Sequence, residues 1–152
     1  MLVYRVDRTE HINDLRGEGS RIFGARWNHK GVACIYTSES RALAVLEYSV
    51  NINVDDIPSA LSIATIDIND SDILNLSAED LPPNWCKNPP PADTKDFGSR
   101  LLSEEGHPVI RVPSTIIPEE HNYILNPRHA ASQTFKLVDV QEFVYDFRIK
   151  TK

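Results

Sequence analysis

The hydrophobic and polar positions along the chain predict many short strands and few helices. Strand candidates are apolar or β-branched runs bounded by polar, Gly-containing or Pro-containing connections. They lie at residues 2–6, 32–36, 62–68, 73–76, 109–112 and 135–138, and an alternating run at 143–147 is expected to form a last edge strand. This pattern predicts an α+β fold.

The clearest local signal is the step from the strand at 32–36 into a helix at about residues 39–50. Thr37 or Ser38 stands where a helix N-cap is expected. Helical spacing puts four residues on one face, namely Leu43, Leu46, Glu47 and Val50. A carboxylate therefore lies within an apolar stripe.

Two regions are predicted to be irregular. Residues 17–24 contain three glycines and favour a loop or a broken helix, but their spacing matches neither the dinucleotide-binding nor the P-loop motif. Residues 81–98 contain five prolines, too many for a helix or a central strand. We expect this second region to be a surface excursion that rims a site.

Composition narrows the class of protein. The 152 residues, 41% hydrophobic and 25% charged, fit a single globular domain over 1–152. A net charge of -6 with no basic run argues against a nucleic-acid partner. The start of the chain lacks a signal-peptide pattern and no apolar stretch reaches membrane-spanning length, so the expectation is a cytoplasmic protein without a membrane partner.

Metal and serine-hydrolase chemistry are disfavoured by residue spacing. The five histidines form no H-E-x-x-H pattern and no close pairing with the cysteines, so no metal site is expected. Cys34 and Cys86 are too few for a disulfide scaffold and are interpreted as reduced packing residues. No serine, including Ser114, lies in a G-x-S-x-G elbow.

Five residues are candidates for chemistry, and each also has a structural interpretation. An ionised Glu47 on an apolar face is costly unless it is functional or ion-paired. Arg26 lies among small residues that let a phosphate approach, but it could also be a solvated loop residue. Trp27 and Tyr36 could stack on a planar ring or belong to the core. Ser114 follows a strand and is either a displayed polar group or a turn residue.

These residues, in their order along the chain, resemble the RES family, which is named for its Arg, Glu and Ser. The family's three residues fall here on Arg26, Glu47 and Ser114, and its accompanying tyrosine falls on Tyr36. The segments that carry the resemblance are Tyr4-Arg5, Gly24-Ala25-Arg26-Trp27-Asn28, Tyr36-Thr37-Ser38, Leu46-Glu47, Leu81-Pro82-Pro83-Asn84-Trp85, Val112-Pro113-Ser114, Asn122 and Asn126-Pro127-Arg128-His129. Ala25 departs from the family, which commonly has a second glycine there.

The resemblance implies a fold and an activity. RES proteins are similar to the ADP-ribosyltransferase toxins, so we expect two small sheets with short helices around an NAD-binding cleft. The expected activity is that of a toxin that degrades NAD+ by cleaving the bond between nicotinamide and ribose, with water or phosphate as acceptor. ADP-ribosylation of a protein target stays open, as does a non-enzymatic binding module.

The resemblance also implies roles and partners. Glu47 would stabilise the reacting ribose, Arg26 would clamp the pyrophosphate or orient Glu47, Tyr36 would pack on the nicotinamide or its ribose, and Ser114 would hydrogen-bond the cofactor. Further NAD contacts are expected from Arg5, Trp27 and Asn122. NAD+ is expected as the substrate, with no other cofactor and no metal, and an Xre-type helix-turn-helix antitoxin is expected to block the active site.

Overall fold

The computed structural model describes residues 1–151, and within them it contains seven strands and three α-helices. The strands are β1 (Leu2–Arg8), β2 (Ile35–Ser38), β3 (Leu61–Asp67), β4 (Ile73–Asn75), β5 (Val109–Pro113), β6 (His121–Leu125) and β7 (Lys136–Phe143). The helices are α1 (Glu18–Phe23), α2 (Arg41–Asn51) and α3 (Ala92–Ser103), and short 3₁₀ turns join several elements. The α+β prediction is confirmed.

The strands form one mixed sheet in the order β4-β5-β6-β2-β1-β3-β7. Among the strands of the described residues, β4 and β5 are parallel and all other neighbours are antiparallel. The central strands β1 and β2 share a single registered pair, Tyr4 with Ser38, whereas β1 pairs with β3 along its whole length and β2 does so with β6. The expectation of two small sheets is therefore corrected: two half-sheets are joined at one point, which we call the seam.

Alternation along the strands builds a hydrophobic core on each face of the sheet. Successive residues of a strand point to opposite faces. Thus Ile35 and Leu125 belong to one cluster with Val3 and Ile66, whereas their chain neighbours Cys34 and Ile124 belong to a second cluster. The sheet is therefore covered on both sides.

Helix α2 begins later than its sequence signal suggested. Thr37 and Ser38 are still part of β2, and Ser40 is the N-cap, with an extended backbone and a side chain that accepts a hydrogen bond from the Leu43 N–H at 3.1 Å. Leu43 and Ala44 are buried, whereas Val50 is exposed. The predicted apolar face is therefore correct near the start of α2 and ends before Val50.

The Pro-rich region differs from the prediction at its end. Its prolines stop at Pro91, which is the N-cap of α3, so a helix occupies 92–98 where a surface excursion was expected. Strand β6 was not predicted because it begins with the polar His121 and Asn122. Strand β7 begins at Lys136, one residue into the predicted run at 135–138, and ends at Phe143, so the expected edge strand at 143–147 is absent from this described part of the chain.

Candidate active site

A cavity of about 740 Å³ opens at the seam of the sheet, and this volume lies in the range of small-molecule sites. Strands β1 and β2 diverge after their one shared pair, so side chains from both reach the cavity. Helix α2, the Arg26 loop (residues 24–28) and the Pro-rich segment (residues 85–91) supply the other walls.

Glu47 lies on the wall formed by α2, and its carboxylate is held through one oxygen. The Ser114 hydroxyl donates to Glu47 Oε1 at 2.8 Å, and the Asn122 amide donates to the same atom at 2.6 Å. No group in residues 1–151 donates a hydrogen bond to Oε2. The carboxylate is therefore fixed in orientation and keeps one oxygen for a ligand in the cavity.

Ser114 lies behind Glu47 and not in the cavity. It has 0% exposure, and its oxygen accepts hydrogen bonds from the Ile116 and Ile117 N–H groups at 3.0 and 3.3 Å while its hydroxyl donates to Glu47. This differs from the expectation that Ser114 hydrogen-bonds the cofactor, because a fully buried and fully bonded hydroxyl cannot reach it. Ser114 positions the carboxylate instead.

Asn122 is held in the orientation that Glu47 needs. Its Oδ1 accepts a hydrogen bond from the Ser38 hydroxyl at 2.7 Å, which leaves Nδ2 to donate to Glu47. Both Ser38 and Asn122 lie at the cavity, on neighbouring strands β2 and β6. The two strands therefore fix the carboxylate that α2 supplies.

Arg26 is tied to the Pro-rich segment by one of its terminal nitrogens. Nη1 donates to the carbonyl oxygens of Trp85 and Lys87 at 2.8 and 2.7 Å. Burial lowers the pKa of Arg26, and the Glu47 carboxylate acts in the opposite direction. The guanidinium stays charged, since its ordinary pKa lies far above neutrality. Its Nε and Nη2 donate to no described residue.

Tyr36 is hydrogen-bonded to two residues of the Arg26 loop. Its hydroxyl donates to Asn28 Oδ1 at 2.6 Å and accepts from the Trp27 N–H at 3.0 Å. Burial raises the pKa of Tyr36 well above its usual value, so the hydroxyl keeps its proton. The Nδ2 of fully buried Asn28 donates to the carbonyls of Ser20 and Val32. Tyr36 lines the cavity, but its hydroxyl is already bonded to Asn28 and to the Trp27 N–H.

Two other predicted NAD contacts are mostly occupied within the protein. Trp27 is 4% exposed and stacks on Trp85, with ring centroids 6.2 Å apart, so its indole takes the core role. Arg5 reaches the cavity wall, but its terminal nitrogens donate to the carbonyl oxygens of Asp14, His11 and Ile12. Both residues line the cavity, but most of the bonding capacity of Arg5 and most of the Trp27 ring surface are used within the protein.

The cavity also contains residues that the sequence did not point to. Lys95 of α3 and Cys86 of the Pro-rich segment line it. The interpretation of both cysteines as packing residues holds for the buried Cys34 and is wrong for Cys86, which is exposed. No sequence motif marks either Lys95 or Cys86. Cys86 lies in the Pro-rich segment and Lys95 on the helix that follows it, so both reach the cavity only through the folded arrangement of this part of the chain. Ala25 has no positive φ, so its departure from the family's glycine costs nothing, whereas Gly24 has a φ of 68°.

No three His, Cys, Asp or Glu side chains within residues 1–151 are grouped as metal ligands. Across the same described residues, no helix combines the length and the apolar character that a membrane span needs.

Comparison with known proteins identifies the family. The RES domain family matches residues 2–146, which is nearly the whole chain. The chain belongs to the RES family. Toxin Res of Yersinia enterocolitica is 40% identical over 152 residues, covering 99% of this chain and 100% of that protein.

Further relatives of this RES-family chain include a protein named for its activity. The Prs ADP-ribosylating toxin of a Sphingobium species is 34% identical and covers 95% of this chain and 92% of its own. Among solved structures, one chain of the Mycobacterium tuberculosis MbcT-MbcA toxin-antitoxin complex superposes with a TM-score of 0.77 over 93% of this chain and 83% of that one. At 18% identity, this last likeness shows the fold alone.

Proposed function

We propose that this RES-family protein is the toxin of a toxin-antitoxin pair and that it cleaves NAD+ between nicotinamide and ribose. The observation that carries the proposal is the state of Glu47 at the cavity. One carboxylate oxygen is fixed by Ser114 and Asn122, and the other has no hydrogen-bond donor among the described residues. Arg26 lines the same cavity, and its Nε and Nη2 are available to donate hydrogen bonds to a phosphate group. The family membership supports the same activity.

The proposed chemistry follows from the charge that develops at the ribose. The bond between C1′ and the nicotinamide nitrogen breaks, and its electron pair leaves with nicotinamide, so C1′ gains oxocarbenium character. Glu47 Oε2 would accept a hydrogen bond from the ribose 2′-hydroxyl and oppose this positive charge. An acceptor oxygen then bonds to C1′, and the proton that this oxygen carries, where it has one, passes to solvent. Because Glu47 is already oriented, little reorganisation is needed in the transition state.

Three acceptors fit this site. Water would give ADP-ribose, phosphate would give ADP-ribose 1-phosphate, and a protein side chain would give an ADP-ribosylated target. We place NAD+ degradation by water or phosphate first. The Prs ADP-ribosylating toxin among the relatives favours protein modification as the second candidate.

The proposed partner is an antitoxin that covers the cavity. The fold neighbour comes from a toxin-antitoxin complex, which supports an antitoxin of some type for this chain as well. We propose that it is of the Xre helix-turn-helix type and supplies the DNA binding that this chain, with a net charge of -6, is poorly suited for. The proposal includes a cytoplasmic location and no cofactor or metal besides NAD+ as substrate.

The test is NAD+ consumption by the purified chain, with and without inorganic phosphate, followed by chromatography of the products. Glu47→Gln keeps the size of the side chain and its hydrogen bond from Asn122 but removes the charge. We expect the wild type to release nicotinamide and the variant to lose about 100-fold or more in turnover, by analogy with loss of other transition-state contacts.

The products and the variant together separate the alternatives. ADP-ribose or its 1-phosphate identifies the acceptor. Transfer of label from NAD+ to added protein extracts, with little free ADP-ribose, would favour the protein-modifying enzyme. If NAD+ stays intact in all conditions while the folded chain still binds it, the protein is a binding module and the proposal fails.

A further inference from the structure

The cavity walls are cationic although the chain as a whole is acidic. The chain carries a net charge of -6, yet the charged residues that line the cavity are Arg5, Arg26, Lys95 and the single carboxylate Glu47. Three cations against one anion in a partly enclosed space produce a local positive potential. Such a wall favours an anionic ligand.

The three cations differ in how much bonding capacity they keep. Both terminal nitrogens of Arg5 are bonded to backbone carbonyls, and its Nε is a buried donor without a partner. Arg26 uses Nη1 alone. The Lys95 ammonium makes no hydrogen bond and no ion pair with any described residue. Lys95 is therefore the cation at the cavity with its whole donor capacity available.

The packing of α3 explains why Lys95 lies at the cavity. Gly98, on the next turn of the same face, meets the Trp27 backbone so closely that an added Cβ would be 2.0 Å from the Trp27 oxygen. Ser99 Oγ accepts a hydrogen bond from the His29 N–H at 2.9 Å. Helix α3 therefore contacts the residues on either side of Asn28. This packing places Lys95 at the same cavity as Arg26.

The nearest acidic residue along α3 does not neutralise Lys95. Asp96 pairs with His29 Nε2 at 2.6 Å, on the exposed side of the contact between the helix and the loop. Lys95 is half-buried at the cavity wall, and within residues 1–151 no carboxylate lies in ion-pair distance of its ammonium. Its ammonium is therefore available to donate hydrogen bonds to an anion in the cavity.

We propose that Lys95 and Arg26 form an anion subsite that binds the diphosphate of the dinucleotide, with Lys95 as a substrate-binding residue. The inference rests on the proposed function for the identity of the ligand. Glu47 lies on α2, whereas Arg26 and Lys95 belong to the Arg26 loop and to α3. Separate elements thus bind the diphosphate and act on the ribose. Lys95 determines affinity and leaves the bond-breaking step to Glu47.

The test measures binding of ADP-ribose by calorimetry, in which no reaction is needed. Lys95→Gln is expected to weaken ADP-ribose binding about tenfold, as for loss of one charge-assisted contact to phosphate, and Lys95→Arg to retain most of the affinity. Nicotinamide riboside, which lacks the diphosphate, should bind equally to the wild type and Lys95→Gln. Where turnover occurs, Lys95→Gln should raise KM and leave kcat within about twofold.

Lys30→Gln is the matched control, because it removes the same charge from an exposed lysine outside the cavity. Equal weakening by Lys30→Gln would reduce the effect to net charge and overturn the subsite. Unchanged ADP-ribose affinity in Lys95→Gln, or no ADP-ribose binding by the wild type, would also overturn it. A wild type that binds ADP-ribose through Lys95 without consuming NAD+ would instead contradict the proposed catalysis and leave the subsite intact.

Discussion

Glu47 is a candidate functional residue because an ionised carboxylate on an apolar helix face is energetically unfavourable. The hydrogen bonds from its neighbours show how the fold accommodates it. An acidic side chain on an apolar helix face needs a partner, and the sequence offered either a functional site or an ion pair. The structure provides neutral donors instead, Ser114 and Asn122, on the same oxygen. Neutral donors fix the orientation of the carboxylate without cancelling its charge, which suits stabilisation of a developing cation.

Removal of one of these donors is expected to lower turnover more than binding. Ser114→Ala deletes the hydrogen bond to Glu47 and leaves the Ile116 and Ile117 N–H groups without their acceptor. A lost buried hydrogen bond costs about 1–3 kcal/mol, so we expect kcat to fall about tenfold or more with KM little changed. Steady-state NAD+ consumption measures both constants.

The control for Ser114→Ala is Ser103→Ala, the same chemical change at an exposed serine at the end of α3. It should leave kcat and KM unchanged. A rise in KM with kcat preserved in Ser114→Ala would mean that Ser114 binds substrate after all.

Tyr36 is expected to act through the Arg26 loop. Tyr36→Phe removes the hydroxyl that joins Asn28 Oδ1 to the Trp27 N–H. We expect the free energy of unfolding to fall by about 1–3 kcal/mol, because both groups lose a buried partner, and substrate affinity to fall with it as Arg26 loses its support. Urea denaturation and ADP-ribose calorimetry measure the two effects.

A second cavity tyrosine provides the comparison. The hydroxyl of Tyr48 makes no hydrogen bond with the residues described, so Tyr48→Phe should leave the free energy of unfolding nearly unchanged. If Tyr36→Phe weakened ADP-ribose binding at full stability, the hydroxyl would contact the ligand directly, and its structural role would be wrong.

At the scale of elements, the sequence predicted what depends on local pattern and missed what depends on distant contacts. Alternation and β-branching located β1, β3 and β5, and helical spacing located α2 with Glu47 on its inner face. Strand β6 was not predicted because its first residues are polar. Asn122 is polar because it bonds to Glu47 on α2 and to Ser38 on β2, and these contacts are distant in sequence. The positions of Lys95 and Cys86 were missed for the same reason.

The contact between α3 and the Arg26 loop is expected to be intolerant of a single methyl group. In Gly98→Ala the new Cβ would meet the Trp27 oxygen at 2.0 Å, so the helix must move away. Overpacking of this kind costs about 1–3 kcal/mol, and the shift should also weaken ADP-ribose binding by moving Lys95. Thermal unfolding and calorimetry test the two effects.

Gly106→Ala is the matched control, because an added Cβ there has no atom within 4 Å and the backbone has no positive φ. This variant should match the wild type in stability and in binding. A Gly98→Ala protein as stable as the wild type would show that α3 does not need its close approach to Trp27.

At the scale of the whole molecule, the cavity exists because the sheet is nearly divided. Within residues 1–151, the strand pairing between the half-sheet β4-β5-β6-β2 and the half-sheet β1-β3-β7 is limited to Tyr4 and Ser38. Beyond that pair, β1 runs on to Arg8 without pairing to β2, and the cavity occupies the resulting space. The sequence could not reveal this arrangement, because each strand pattern is compatible with either one sheet or two.

A ligand in the cavity should therefore fasten the two half-sheets together. In the Glu47→Gln variant, which is expected to bind without turnover, ADP-ribose at about 100 times its Kd should stabilise the fold by about 2.7 kcal/mol. Hydrogen exchange should slow at the cavity-side amides of both β1 and β2, whereas local opening of the outer strand β7 should be unaffected. Slowing on one half-sheet alone would mean that ADP-ribose binds to one side of the seam and does not bridge the two half-sheets.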